Sequence, residues 1–227
     1  MTKAKSREGL FFERQIAHLI CTTVLLLALY VASALPEFRT GSFLGLSTTT
    51  WTVLAVTNAI MHQVYVWLCW RLELHDQRLT RLFGDRAFRI YQIGFAILIV
   101  LRPMLAFVLG WSNQETLPVP PWLGYAVSLI LLTPVVYLIY CVRRYFGFAR
   151  AFGIDHFDSS YRSMPLVRQG IFTWTPNAMY VFGFLILWMP AFLFQSVAAL
   201  ATAAFSHAYV WVHYHCTEKP DMRRIYG

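Results

Sequence analysis

Polar breaks divide the chain into six long apolar runs. The first runs from Gln15 to Leu35 and is closed by Pro36, Arg39 and Gly41. The others cover Trp51 to Trp70, Ile90 to Gly110, Trp122 to Val142, Asn177 to Phe194 and Val197 to His215. A membrane-crossing helix needs about 20 apolar residues, so each run is read as a span. Pro134 and Pro190 predict kinks in the fourth and fifth. Gln195-Ser196 leaves room only for a tight turn, which makes the last two runs an antiparallel hairpin. The charged stretch Arg71 to Arg89 carries Leu72, Leu74, Leu79 and Leu82, a pattern for a short interfacial helix. The expected fold is all-α: one polytopic membrane helical bundle of about six transmembrane helices over residues 1–227. Residues 1–165 would form supporting helices and loops, and 166–227 the terminal hairpin.

Composition agrees with this pattern. The chain is 58% hydrophobic and 13% charged, with a mean hydropathy of +0.51. Soluble domains are about 25% charged. Aromatic residues at 17% suit the belts of Trp and Tyr at lipid headgroups. The net charge of +8 is confined to segments between the apolar runs. Seventeen of the 19 Lys and Arg fall in the N-terminal segment (Lys3, Lys5, Arg7, Arg14), the second loop, the fourth loop and the C-terminal segment. Six spans put all four segments on one side, which the positive-inside rule makes cytoplasmic. Both termini, and both ends of the terminal hairpin, are therefore expected to face the cytoplasm. Anionic lipid headgroups are the expected counter-charge. Nucleic acid is not an expected partner, because no basic stripe gathers on a soluble fold. Cys21, Cys69, Cys141 and Cys216 form no CxxC and read as packing residues. The first apolar run has span length rather than signal-peptide length. The expected location is a bacterial inner membrane, or the endoplasmic reticulum in a eukaryote.

Polar residues within and beside the spans are the candidates for chemistry. Asn177 and Tyr180 are three apart and share a helix face. Glu218 follows the sixth run, and the hairpin should return it to them, together with His213 and His215. Such a cluster suits a zwitterionic small molecule and the deprotonation of a nucleophile. Interfacial anchoring is the alternative. Asn58 and His62 lie one helical turn apart, either bonding to a neighbouring helix or lining a polar substrate channel. Arg102 stands alone in an apolar run, with no Asp or Glu inside any run. It is expected to reach the outer interface, or else to meet carbonyls, phosphate or water. Asp155-His156-Phe157-Asp158 holds three metal-ligand types, but a site would need a further partner. It reads as a cap or turn cluster, and no metal is expected. The basic-aromatic run Arg143 to Arg150 either lies on anionic lipid or is a positive-inside flank.

Two segments carry a resemblance. Leu166-Val167-Arg168-Gln169-Gly170-Ile171-Phe172, followed by Asn177-Ala178-Met179-Tyr180, resembles the signature of the isoprenylcysteine carboxyl methyltransferase and phosphatidylethanolamine (phospholipid) N-methyltransferase superfamily. The ending Glu218-Lys219-Pro220, with Ile225-Tyr226, resembles its second signature and leans toward the phospholipid branch. The resemblance covers residues 166–227. It implies S-adenosylmethionine as cofactor, bound by Gly170, Ile171, Phe172, Asn177, Tyr180 and Glu218. Glu218, directly or with His213 or His215, would be the base. A membrane lipid or lipidated acceptor would enter laterally and the cofactor from the cytoplasm. Phospholipid N-methylation is the implied reaction, with isoprenylcysteine-type carboxyl methylation or a non-enzymatic membrane role as alternatives. Thr173 and Pro176 stand where the family usually has arginines, Ala178 replaces a proline and Lys219 a second glutamate.

Overall fold

The structure, a computed structural model, describes residues 7–227, with side chains from Gly9 onward. Lys3 and Lys5, part of the charge argument, lie outside the described residues, as does the side chain of Arg7. Apart from a two-residue hairpin pairing Ser42–Phe43 with Leu46–Ser47, the described elements are helical. The long ones are α1 (Gln15–Ala32), α2 (Thr48–Asp76), α3 (Arg78–Phe83), α4 (Ala87–Ser112) and α5 (Pro121–Cys141). The terminal region holds α6 (Ala178–Phe182), α7 (Met189–Leu193), α8 (Val197–His213) and α9 (Lys219–Tyr226).

Four segments are long and apolar enough to cross a membrane: Gly9–Ala32, Thr48–Asp76, Arg78–Ser112 and Pro121–Phe146. They correspond to the first four predicted spans. Their apolar residues are mostly exposed, as at Ile16, Leu19, Ile93, Ile97, Leu129 and Ile130, which is the surface a lipid tail would cover. The predicted interfacial helix appears as α3, with Leu82 and Phe83 exposed. The second span runs six residues past Trp70 and stops at Asp76, where Gln77 adopts a left-handed conformation (φ 49°).

The terminal hairpin is less regular than predicted. The fifth run is broken into α6, a 3₁₀ segment Gly183–Leu187, and α7. Pro190 explains part of this, because it has no N–H to donate to the Ile186 carbonyl. The sixth run is a 17-residue helix, about 25 Å by helix rise. It then passes through a π turn, Tyr214–Glu218, into α9. The tight turn is present at Gln195-Ser196, with Gln195 at φ 48° and the Ser196 hydroxyl accepting the Ala199 N–H at 3.0 Å.

Helix pairing follows from small residues and from polar groups satisfied at the loop ends. α2 packs on α4, α5 on α7, and α8 on both α1 and α2. A Cβ on Gly124 of α5 would lie 2.3 Å from the Phe192 carbonyl oxygen, so α5 meets the hairpin backbone directly. At the end opposite the basic segments, buried Asn113 ties three loops together. Its amide donates to the carbonyls of Glu37 and Thr40, both at 2.8 Å. Its oxygen accepts from the Ser196 hydroxyl at 2.8 Å and the Ala198 N–H at 2.9 Å. The turn of the hairpin is thereby fixed against the loop before α5, and at the other end α6 meets the π turn Tyr214–Glu218.

Candidate active site

Glu218 ends the π turn after α8, and Tyr180 sits in α6. The Tyr180 hydroxyl donates to the Glu218 carboxylate, the contact that the hairpin argument requires. Burial pushes the Glu218 carboxyl up to about 8; the Asp155 and Asp221 charges add to the rise and His156 opposes it. Three further rings surround Tyr180: Trp211 at 5.8 Å, Tyr214 at 5.6 Å and Phe184 at 6.4 Å between centroids. A carboxyl set among electron-rich ring faces suits a fixed cation such as a sulfonium.

A cavity of about 500 Å³ opens from Tyr180 into the bundle. Its walls are mostly apolar, from Val66, Phe95, Ile99, Val135, Leu138, Phe152 and Leu187. The polar side chains on it are few: His62, Gln63, Trp70, Arg102, Tyr180 and His213. Size and lining fall in the range of small-molecule sites, about 300–1,000 Å³ with a few convergent polar groups. Both ring nitrogens of His62 and of His213 are buried without a hydrogen-bond partner among the described residues. Unsatisfied buried polar atoms on a cavity wall are what a polar ligand would satisfy.

The other sequence-predicted residues distribute unevenly. His213 lines the cavity, but His215 is exposed, packing on Trp211 and Tyr214 away from it. Two residues apart, the rings point to nearly opposite faces of the helix. Asn177 is half-buried and off the cavity wall; its backbone N–H donates to Thr175 Oγ1 at 3.2 Å. Asn58 donates to the Leu98 carbonyl at 3.1 Å, which is the interhelical bond, and only His62 of that pair reaches the cavity. Arg102 does not reach the outer interface. It is 4% exposed and turned inward, because Pro103 and the packed α2 leave its side chain on the inner face of α4.

Gly170, Ile171 and Phe172 also lie off the cavity. They pack beneath the end of α5, where the Ile171 N–H donates to Cys141 Sγ at 3.4 Å and Phe172 stacks on Phe146 at 5.0 Å. Gly170 has φ +58°, and a Cβ there would lie 2.6 Å from Cys141 Sγ. Gly170→Ala is expected to cost about 2–4 kcal/mol, from left-handed strain together with overpacking. The check is a lowered melting temperature of the purified protein in detergent.

Sequence reasoning missed a buried ionic network beside Glu218. Arg71 is fully buried, and its Nε donates to Asp221 Oδ2 at 2.8 Å. Its other nitrogens donate to the carbonyls of Leu10, Phe11 and Thr217. His156 Nε2 lies 3.8 Å from Asp221 Oδ2 and its Nδ1 3.4 Å from Asp155 Oδ1. Tyr226 donates to Asp155 Oδ2 at 2.8 Å, and Arg224 pairs with Asp221 and Glu13. The His156 ring stacks on Trp70 at 4.1 Å. Burial opposes charge on His156, but the two flanking carboxylates outweigh it and raise its pKa. The turn reading of Asp155 to Asp158 therefore holds only for Asp158, which caps the Ser160 N–H at 2.9 Å. Asp155 and His156 belong to this buried network. Among the described residues no group of His, Cys, Asp and Glu is arranged to hold a metal. The spacing of Asp155, Asp221 and Tyr226 within the last two polar segments was the one available signal.

A comparison with protein families decides the class. Residues 123–227 match the model of the phospholipid methyltransferase family. Over that segment the chain is similar to phospholipid methyltransferases. The comparisons with curated proteins and with solved structures gave no match. The matched segment begins in α5 and holds Tyr180, His213, Glu218, Asp155, His156 and Asp221. Arg71, His62 and Arg102, on α2 and α4, lie before it. The match supports a membrane methyltransferase of the phospholipid or isoprenylcysteine type.

Proposed function

We propose that the chain is an S-adenosylmethionine-dependent methyltransferase whose acceptor is a membrane lipid amine, with the Tyr180–Glu218 end on the cytoplasmic side. The observation that carries this is the Tyr180–Glu218 pair, flanked by aromatic side chains, with Tyr180 lining an apolar cavity, in a segment similar to phospholipid methyltransferases.

The residues fit the cofactor. Glu218 can meet a sulfonium or an amine, and the faces of Tyr180, Trp211 and Tyr214 can cover a cation. S-Adenosylmethionine supplies an electrophilic methyl group when bound. The chain's own contribution is to position donor and acceptor and to exclude water, worth up to about 7–11 kcal/mol in favourable cases. Bound there, S-adenosylmethionine would supply its methyl group to the acceptor nitrogen, and Glu218 would take up the proton that the nitrogen loses. A carboxyl pushed up to about 8 is matched to that exchange. Tyr180 holds the carboxylate in place through its hydroxyl. An acidic acceptor of the isoprenylcysteine type needs no base, so a raised Glu218 favours the amine.

Titration calorimetry of the purified protein with S-adenosylmethionine tests the reading, followed by mass spectrometry of lipids from cells with and without the gene. Binding, and lipids heavier by one or more methyl groups, are expected. Absence of binding at millimolar S-adenosylmethionine sinks the proposal.

A further inference from the structure

We propose that Arg102 is an anion-binding subsite, which takes the oxyanion of an amphiphile, a lipid phosphodiester or a lipid carboxylate, whose chain occupies the apolar cavity. This deepens the reading above and rests on it for the amphiphile's role as methyl acceptor.

The first support is an unbalanced charge. Arg102 is 4% exposed, and its one hydrogen bond is from Nη2 to the Ala59 carbonyl at 3.2 Å. Nε and Nη1 have no hydrogen-bond partner among the described residues. A guanidinium carries five N–H donors and cannot deprotonate, so most of its capacity is unused. None of the apolar runs contains Asp or Glu to balance it. A contact with the Phe184 ring, 5.2 Å from Cζ to the centroid, offsets part of the charge and no more. A cation at membrane depth is costly unless something pairs with it. Here a ligand would, after a turn of the side chain's terminal torsions.

Place is the second support. Arg102 lines the same cavity as Tyr180, and one ring lies between them, since Phe184 touches both. A ligand with its oxyanion on Arg102 would present atoms a few bonds away to the Tyr180–Glu218 pair. In an aminoethyl phosphodiester, two carbons separate the nitrogen from the ester oxygen, which suits one ring's separation. Ile99, Val135 and Ile139 give the remaining wall an apolar surface for a chain. Arg102 also lies outside the segment that matches the methyltransferase family, so the subsite belongs to the part of the chain that the match does not describe.

The test uses the purified full chain in an uncharged detergent, with dioleoyl phosphatidylethanolamine, oleate and dioleoylglycerol as separate probes. Binding is followed by tryptophan fluorescence, Trp70 being on the cavity wall. Wild type is expected to bind one of the two oxyanion-bearing amphiphiles, the zwitterionic phosphatidylethanolamine or oleate, at least tenfold more tightly than dioleoylglycerol, and which one identifies the source of the oxyanion. Arg102→Met is expected to lose that preference and to keep dioleoylglycerol and S-adenosylmethionine binding. Without ligand its melting temperature should equal or exceed that of wild type, because an unpaired charge has been removed. Arg102→Lys should retain part of the preference. Equal binding of the oxyanion-bearing probes by wild type and Arg102→Met overturns the subsite. So does an Arg102→Met chain that melts lower or fails to fold, which would make Arg102 a structural cation. If wild type fails to bind S-adenosylmethionine but shows the Arg102-dependent preference, the methyltransferase reading falls and the anion site stands.

Discussion

Asp221→Asn is expected to destabilise the protein by about 3–5 kcal/mol, the usual cost of leaving one member of a buried ion pair without its partner. Both side chains of the Arg71–Asp221 pair are fully buried, and the pair closes at 2.8 Å. Arg71 also holds the carbonyls of Leu10, Phe11 and Thr217, so the loss spreads to the N-terminal helix Arg7–Phe11 and the π turn. Thr217 precedes Glu218 directly, and the π turn sets the direction of that carboxyl. Turnover should therefore fall along with the melting temperature. Removing both charges, with Arg71→Met and Asp221→Leu together, should cost less than Asp221→Asn alone, because the buried Arg71 charge is no longer stranded. The two single replacements and the double form a cycle whose coupling term isolates the pair. An Asp221→Asn protein with an unchanged melting temperature would show that water reaches Arg71 and that the pair is not what holds the termini together.

Glu218→Gln is expected to lower turnover by about 10²–10⁴, the range for losing a positioned base. The Tyr180 hydroxyl can still donate to the amide oxygen, so the local fold should survive. The pH dependence gives the sharper readout. With the Glu218 carboxyl pushed up to about 8, the fraction in the base form grows as pH rises through that value. The wild-type rate should climb between about pH 6 and 8.5 and then level off, and Glu218→Gln should lose that limb. S-Adenosylmethionine binding separates two roles for the residue. If Glu218→Gln binds it normally and turns over slowly, Glu218 is the base. If binding is lost too, Glu218 is a cofactor ligand and the base assignment fails.

The first four spans could be read from the sequence because each consists of a continuous apolar run ended by charge, proline or glycine. That signal is local and needs no partner. The Gln195-Ser196 turn was legible for the same reason, and with it the return of Glu218 to Tyr180. Legibility weakens in the fifth and sixth runs. Hydropathy does not record whether a segment is α, 3₁₀ or π, so the break at Gly183–Leu187 and the π turn at Tyr214–Glu218 were not foreseen. His215 lies two residues from His213, about 200° round the helix, and so faces away from the cavity that His213 lines.

The sequence by itself determined a helical membrane chain with a resemblance to methyltransferase signatures at its end, and it grouped Asn177, Tyr180, His213, His215 and Glu218, of which the structure joins Tyr180 to Glu218. Composition and a single hairpin suffice for these, because they depend on residues close together along the chain. Only the tertiary structure decided that Arg71 meets Asp221, that His156 lies between two carboxylates, and that Arg102 faces inward. Each of these contacts joins side chains from segments far apart in sequence, through the packing of α2, α4 and the terminal hairpin. A charged residue looks the same in the sequence whether it ends in water, in an ion pair or on a cavity wall; burial and its partners distinguish these cases, and both are set by the fold.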